Sequence, residues 1–232
     1  DLKIGMDSGI NKVIPNLIEE TPYQGAKSFS EKGALKLFER GKDKKPKVVI
    51  SQIKADGTYR NAIVRGGEVE LVSRQGEVSS LEGAKFLREL STLEDCVLNG
   101  ELTIDGVKRT VANGMVNSIM DIIEGKATRS PEETQKKYLA FEEKHGRWQE
   151  ALDKMRFTVW DKITVDEYFE AESKVSYTER FDSLKETLER HGLENVDVVE
   201  TRYVTTYKEA MEHFLDALAR GLEGTIIKSS EA

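Results

Sequence analysis

The 232-residue chain carries a single cysteine, Cys96, so it can form no disulfide within itself. A lone thiol fits a reducing compartment. Its three histidines, His145, His191 and His213, stand far apart. They lack the spacing of metal ligands, which speaks against a zinc site. No stretch approaches the roughly 18 apolar residues of a membrane span. The opening Asp1-Leu2-Lys3-Ile4-Gly5 lacks the basic-then-apolar plan of a secretory leader. Together these absences predict a cytoplasmic protein without membrane contact. Internal repeats and low-complexity linkers are missing as well.

What is present is enough for a core. Hydrophobic residues make up 38% of the chain and recur along its length, while 33% are charged. The net charge of −7 taken alone argues against a nucleic-acid partner, because phosphate contacts need Lys and Arg. The balance reverses locally. Lys27, Lys32, Lys36, Arg40, Lys42, Lys44, Lys45 and Lys47 face only Glu31, Glu39 and Asp43 in the same segment. That run is either a solvated loop or a nucleic-acid contact.

The hydrophobic period assigns the elements. Apolar residues across 10–18 have helical spacing, with Pro15 in the first turn, and Ser30 to Arg40 reads as a short helix with Gly41 beyond it. The period then becomes two. Strands are expected at Val48–Ile53, Asn61–Arg65 and Glu68–Ser73, with Gly66-Gly67 as a hairpin turn. Another runs from Val97 to Ile104, with Asp105-Gly106 as a second hairpin signal. Residues 132–155 read as helical, with Tyr138, Phe141, Trp148, Leu152 and Met155 inward. Arg156–Ile163 reads as a strand, Tyr177–His191 as a helix ended by Gly192, and Val196–Val204 as one strand. Thr206 and Glu209 form a capping box for a helix burying Ala210, Met211, Phe214, Leu215 and Leu218. Gly224–Lys228 is the last strand. Hairpins in series with flanking helices predict a mainly antiparallel α+β domain.

Several strands end in chemistry-bearing residues. Lys54 follows the apolar strand and precedes Asp56-Gly57. It is either a surface residue at a strand end or a positioned amine, and an amine attacks phosphorus only when neutral. Arg74 in Ser73-Arg74-Gln75-Gly76 suits forked bonding to phosphate or ribose, or is simply solvated. Glu101, after Asn99-Gly100, and Glu223, before Gly224, are carboxylates beside apolar strands that suit Mg²⁺, a metal bound partly through water. Trp160, before Asp161, offers a ring on which a base could stack. Each signal is weak by itself.

Their order is specific. Lys54-Ala55-Asp56-Gly57, Leu71 to Gly76, Asn113-Gly114, Phe157 to Asp161 and Leu222 to Lys228 follow one another as the motifs of covalent nucleotidyltransferases do. The chain resembles the adenylation domain of ATP-dependent DNA ligases of the T-even bacteriophage type, over essentially its whole length. The resemblance implies an ATP-grasp-like nucleotidyltransferase fold with mainly antiparallel sheets flanked by helices. It implies that residues 1–232 form the adenylation domain, the family's C-terminal oligonucleotide-binding-fold domain being absent from the chain. By residue, it implies that Lys54 becomes adenylated and that Gln52 reads adenine. Arg74 contacts ribose or the nick phosphate, and Trp160 stacks on adenine. Glu101 and Glu223 serve ribose and metal, and Lys228 lies near the phosphates.

The implied cofactors are ATP and Mg²⁺, and the implied partner is nicked double-stranded DNA, in replication, repair and recombination. The chain is expected to be a monomer. One departure concerns the position two residues after the motif glycine, where the family often has arginine. Here it is Tyr59, and Arg60 comes one later, which leaves open which residue holds the 5′-phosphate; Arg60 is counted among the nucleotide-binding residues. An RNA ligase shares the lysine chemistry, an mRNA capping enzyme would use GTP, and a non-catalytic nucleotide-binding module is an alternative of another class.

Overall fold

The structure, a computed structural model, describes residues 28–39 and 47–230. The helix expected over 10–18 lies outside them, as do Lys27, Arg40, Lys42, Lys44 and Lys45 of the basic run. Ser30 opens α1 (Glu31–Leu37), and its hydroxyl accepts from the Gly33 N–H at 3.1 Å. That satisfies one of the donors a helix start leaves unpaired. The alternating run that follows forms β1 (Val49–Ile53). Strands β2 (Thr58–Arg65) and β3 (Glu68–Val72) make the expected hairpin across Gly66-Gly67, where φ is 58° and 82°. Then come β4 (Val78–Ser79), α2 (Lys85–Leu90) and β5 (Cys96–Ile104).

Asp105-Gly106 does not close a second hairpin. Three helices, α3 (Arg109–Gly125), α4 (Pro131–His145) and α5 (Trp148–Asp153), precede β6 (Met155–Ile163), which is the strand that pairs with β5. The residues after the turn decide this. Ala112, Met115, Val116, Ile119, Met120 and Ile123 recur at helical spacing and are all buried. Asn113-Gly114 therefore sits on a helix that the strand-and-turn pattern leaves out. Of the aromatic and apolar set expected inside 132–155, Phe141, Leu152 and Met155 are buried. Tyr138 and Trp148 are half-buried, their rings 5.4 Å apart.

After α6 (Val165–Glu170) and α7 (Tyr177–His191), the strand expected over Val196–Val204 is broken in two. Its first part, β7 (Val196–Val198), runs parallel to β6, and its second, β8 (Thr201–Val204), pairs with β1. The backbone of residues 199 and 200 is the crossing point. Val199 N–H donates to the Val159 carbonyl at 2.9 Å, and the Glu200 carbonyl accepts from Ile53 N–H at 2.9 Å. Helix α8 (Tyr207–Ala219) begins at the expected capping box, Thr206 Oγ1 accepting from Glu209 N–H at 3.2 Å. Its buried stripe differs from expectation. Ala210, His213 and Ala217 face inward, whereas Leu215 and Leu218 are 57% and 45% exposed. Two alanines let the helix lie close on a narrow sheet. His213 is admitted because its Nδ1 pairs with Ser51 Oγ at 2.8 Å. The last strand is β9 (Thr225–Ser229).

Among the described residues there are two sheets. One has the order β8-β1-β9 and the other β4-β3-β2-β5-β6-β7. All pairings are antiparallel except β6 with β7, as an α+β domain requires. The larger sheet buries Leu71, Leu98, Leu102 and Phe157 against Phe86 and Leu90 of α2, Ile119 of α3, and Phe181 and Leu184 of α7. Each such side chain contributes about 1.5–3 kcal/mol when fully buried. The other face of that sheet carries Tyr59, Asn61 and Asn99 beside a smaller apolar cluster of Ile63, Val72, Val97 and Tyr168.

Candidate active site

Lys54 is the first residue beyond β1, at the junction of the two sheets. Register places it there: β1 pairs with β9 out to Ile53 and Thr225, and Lys54 N–H then donates to the Gly224 carbonyl at 2.9 Å. The amine consequently meets Glu223, the residue before that glycine, and the two side chains form an ion pair. Arg109, the first residue of α3, reaches the same spot. Its guanidinium pairs with Asp56 and stands 3.5 Å from the second Glu223 oxygen. Glu101 completes the cluster from the neighbouring sheet by accepting from Gly57 N–H at 2.5 Å. Gly57 has to be glycine, because a Cβ there would lie 2.2 Å from the Leu102 carbonyl oxygen.

Charge in this cluster is crowded. Burial pushes the Glu101 carboxyl up to about 7, against the Gly57 N–H, which favours the ionised form. The charges on Asp56 and Glu223 raise it further. Asp56 is also raised, first by burial. Glu223 is lowered, chiefly by its bond to Lys54. These carboxylates are hard oxygen donors of the kind Mg²⁺ takes, but no group of three or more among the described residues converges into a ready cage. A site with few protein ligands suits Mg²⁺, which usually keeps waters and binds substrate phosphates. Glu101 and Glu223 fit that donor set.

A second group lies two residues back along β1. Gln52 shares a strand face with Lys54 by the two-residue period, and it is almost wholly buried at 2% exposure. Its amide bonds Thr201 Oγ1 at 3.2 Å and the Tyr177 hydroxyl at 2.9 Å. Tyr177 also bonds the Trp160 main-chain carbonyl. Lys228 donates to the Tyr177 hydroxyl at 2.9 Å and lies 4.1 Å over its ring. Burial holds the Lys228 amine down to about 7. Behind them the buried Asp161 accepts two bonds of 3.0 Å from Arg180. Asp161 thus braces the strand that presents Trp160.

Gln52, Trp160 and Lys228 therefore form one connected group, and Lys54, Glu101 and Glu223 another beside it. Arg74 joins the site face through Tyr59, its guanidinium carbon 4.9 Å from that ring. Arg60 does not join, and its expected nucleotide-binding role needs correction. Tyr59 is the residue opposite Glu101 in the β2–β5 register, so alternation turns Arg60 to the core side. There it is 8% exposed, donating to the Tyr59 carbonyl at 2.6 Å and to Met120 Sδ of α3 at 3.1 Å. Burial lowers its pKa. Two residues of the site, Arg109 and Tyr177, have no role in the sequence reading, and Tyr59 appears there only as standing where the family often has arginine. Arg109 had a signal in standing just before Asn113-Gly114, whereas Tyr177 had none beyond an amphipathic helix.

A family model described as ATP dependent DNA ligase domain matches residues 32–232. The chain is similar to the DNA ligases of Enterobacteria phages T6 and T4, at 28% identity over 254 residues in each case. Those alignments cover 99% of this chain and 49% of each relative, so the chain spans about half their length. Among solved structures, the ATP-dependent DNA ligase from bacteriophage T7 in complex with ATP is similar in fold, with a TM-score of 0.63 at 18% identity. That likeness covers 93% of this chain and 65% of the T7 chain. The family match spans most of the chain, and the chain belongs to the ATP-dependent DNA ligase domain family.

Proposed function

We propose that this chain is the adenylation domain of an ATP-dependent DNA ligase, which seals nicks in double-stranded DNA, with Lys54 as the nucleophile that takes AMP from ATP to form a lysyl-AMP intermediate. The supporting observation is the placement of Lys54: one strand end brings its amine beside Glu223, while Gln52 on the same face faces Tyr177 and Thr201. Phosphate chemistry and base recognition would then share one strand.

Lys54 sheds its proton, and its nitrogen forms a bond to the α-phosphorus of ATP as the bond to the β-phosphate oxygen breaks. Pyrophosphate leaves. The 5′-phosphate of a nick then attacks that phosphorus, the phosphorus–nitrogen bond breaks, and Lys54 recovers a proton. Finally the 3′-hydroxyl gives up its proton, its oxygen bonds to the 5′-phosphorus as the bond from that phosphorus to the AMP oxygen breaks, AMP departs, and the strand is joined. Mg²⁺, held by Glu101 and Glu223 with the phosphates, would supply charge neutralisation. Arg74 and Arg109 would add fixed positive charge around the phosphoryl groups, and Lys228, its amine held down to about 7, would donate a hydrogen bond to a phosphate oxygen. Trp160 would stack on adenine and Gln52 would read its edge. The chain is proposed to act as a monomer in the cytoplasm.

Incubation with ATP labelled on the α-phosphate tests the reading. Covalent label on the chain, lost in Lys54→Ala, supports it. Absence of label, even with the relatives' C-terminal half joined after Ala232, overturns it.

A further inference from the structure

Arg74 sits on an exposed turn, yet both its backbone and its side chain have supports. Ser73 Oγ accepts from Gln75 N–H at 3.2 Å and Glu77 N–H at 3.1 Å, and Gly76 N–H donates to the Ser73 carbonyl at 3.0 Å. These bonds lock the turn. The guanidinium then lies over the Tyr59 ring, 4.9 Å from its centroid. A planar cation over an aromatic face is held by the ring's quadrupole and loses rotamer freedom.

The Tyr59 ring is itself immobilised. It is 9% exposed. Its hydroxyl accepts from Asn99 Nδ2 at 2.6 Å and donates to Asn61 Oδ1 at 3.2 Å. Asn99 also donates to Asn61 Oδ1 at 2.6 Å, and Asn61 donates to the buried Tyr168 hydroxyl at 3.4 Å. The Trp160 ring stands 6.2 Å from Tyr59 on the same side. Three rigid strands, β2, β5 and β6, thus fix one ring that carries the arginine of a surface turn.

We propose that Tyr59 is the positioning residue for Arg74, holding its guanidinium where it grips the terminal 5′-phosphate of a nicked strand. This rests on the ligase reading above. Tyr59 acts through Arg74, so its removal should cost what a mobile Arg74 costs, and nothing further once Arg74 is gone. The function of the buried Asn61–Asn99 pair follows: it keeps the ring's orientation.

A double-mutant cycle with the full chain tests this. Binding is measured for a nicked duplex carrying a 5′-phosphate and for the same duplex carrying a 5′-hydroxyl. The readout is the preference for phosphate, with thermal melting to confirm folding. Arg74→Ala should lower the preference about tenfold, and Tyr59→Leu about fivefold, the scale of a partly exposed cation–ring contact. The double variant should match Arg74→Ala, and Tyr59→Phe, which keeps the ring but gives up its bonds to Asn61 and Asn99, should fall between wild type and Tyr59→Leu. The salt dependence for the phosphorylated nick should flatten by about one contact in both single variants. A folded Tyr59→Leu chain with wild-type preference overturns the proposal, as do equal losses for both duplexes or additive losses in the double variant. A wild-type chain that does not distinguish the duplexes overturns the ligase reading itself.

Discussion

Lys54 and Glu223 meet as an ion pair across the junction of the two sheets, one side chain ending β1 and the other entering β9. Their side chains are 42% and 33% exposed, so the pair adds little to stability, about 0–1 kcal/mol. Its value is placement. Glu223→Gln should leave the melting temperature almost unchanged and slow lysyl-AMP formation about 100-fold, the scale of losing one preorganised electrostatic contact, because the carboxylate that would hold Mg²⁺ is gone. Single-turnover labelling beside a thermal melt measures both. Wild-type labelling in the variant would remove Glu223 from the chemistry.

Arg109 already neutralises Asp56 and approaches Glu223, from a helix that begins at that residue. Arg109→Ala should reduce lysyl-AMP formation about tenfold or more, with Arg109→Lys partly active, since a lysine keeps the charge but loses the fork. The rate of label incorporation at saturating ATP checks it. An unaffected rate would make the arginine a surface residue.

Lys228 gives a pH dependence of known sign. Its amine is held near 7 in the folded chain, against 10.5 when free. Between those values the unfolded chain binds a proton that the folded chain does not, so stability rises with pH from about 7 towards 10.5. The difference in unfolding free energy between wild type and Lys228→Met, followed by urea denaturation across that window, should move in favour of wild type as pH increases. Parallel curves would mean that the amine titrates normally.

Arg60 supplies the opposite kind of test. It points into the core against Met120 and the Tyr59 carbonyl, away from Lys54. Arg60→Met keeps its stem packing and removes a buried charge, a change that is often neutral or stabilising. The variant should label with ATP and bind nicked DNA within about twofold of wild type. A loss of 5′-phosphate preference comparable with that of Arg74→Ala would restore Arg60 to the site.

Much of this was legible in the residues. Alternation over Val49–Ile53, the Gly66-Gly67 turn and the Thr206 capping box each express a local rule, and each held. What was hidden depended on tertiary partners. Val196–Val204 reads as one strand, but its two halves find different sheets. Asp105-Gly106 is a genuine turn, and only the buried stripe of α3 turns it from hairpin to helix entry. Within the site, motif order pointed to Lys54, Arg74, Glu101, Trp160 and Glu223, and the fold brings Lys54 to Glu223 and Arg74 to the Tyr59 ring beside Trp160. Strand parity decided between Tyr59 and Arg60, and parity becomes readable only once the register with Glu101 is known.

The central claim is that Lys54 carries AMP. Peptide mass spectrometry of the chain after incubation with ATP and Mg²⁺ tests it most directly. One AMP is expected on the peptide containing Lys54, released when pyrophosphate is added and absent from Lys54→Ala. AMP bound at any other residue, or no adduct on a folded chain that includes the relatives' C-terminal half, would contradict it.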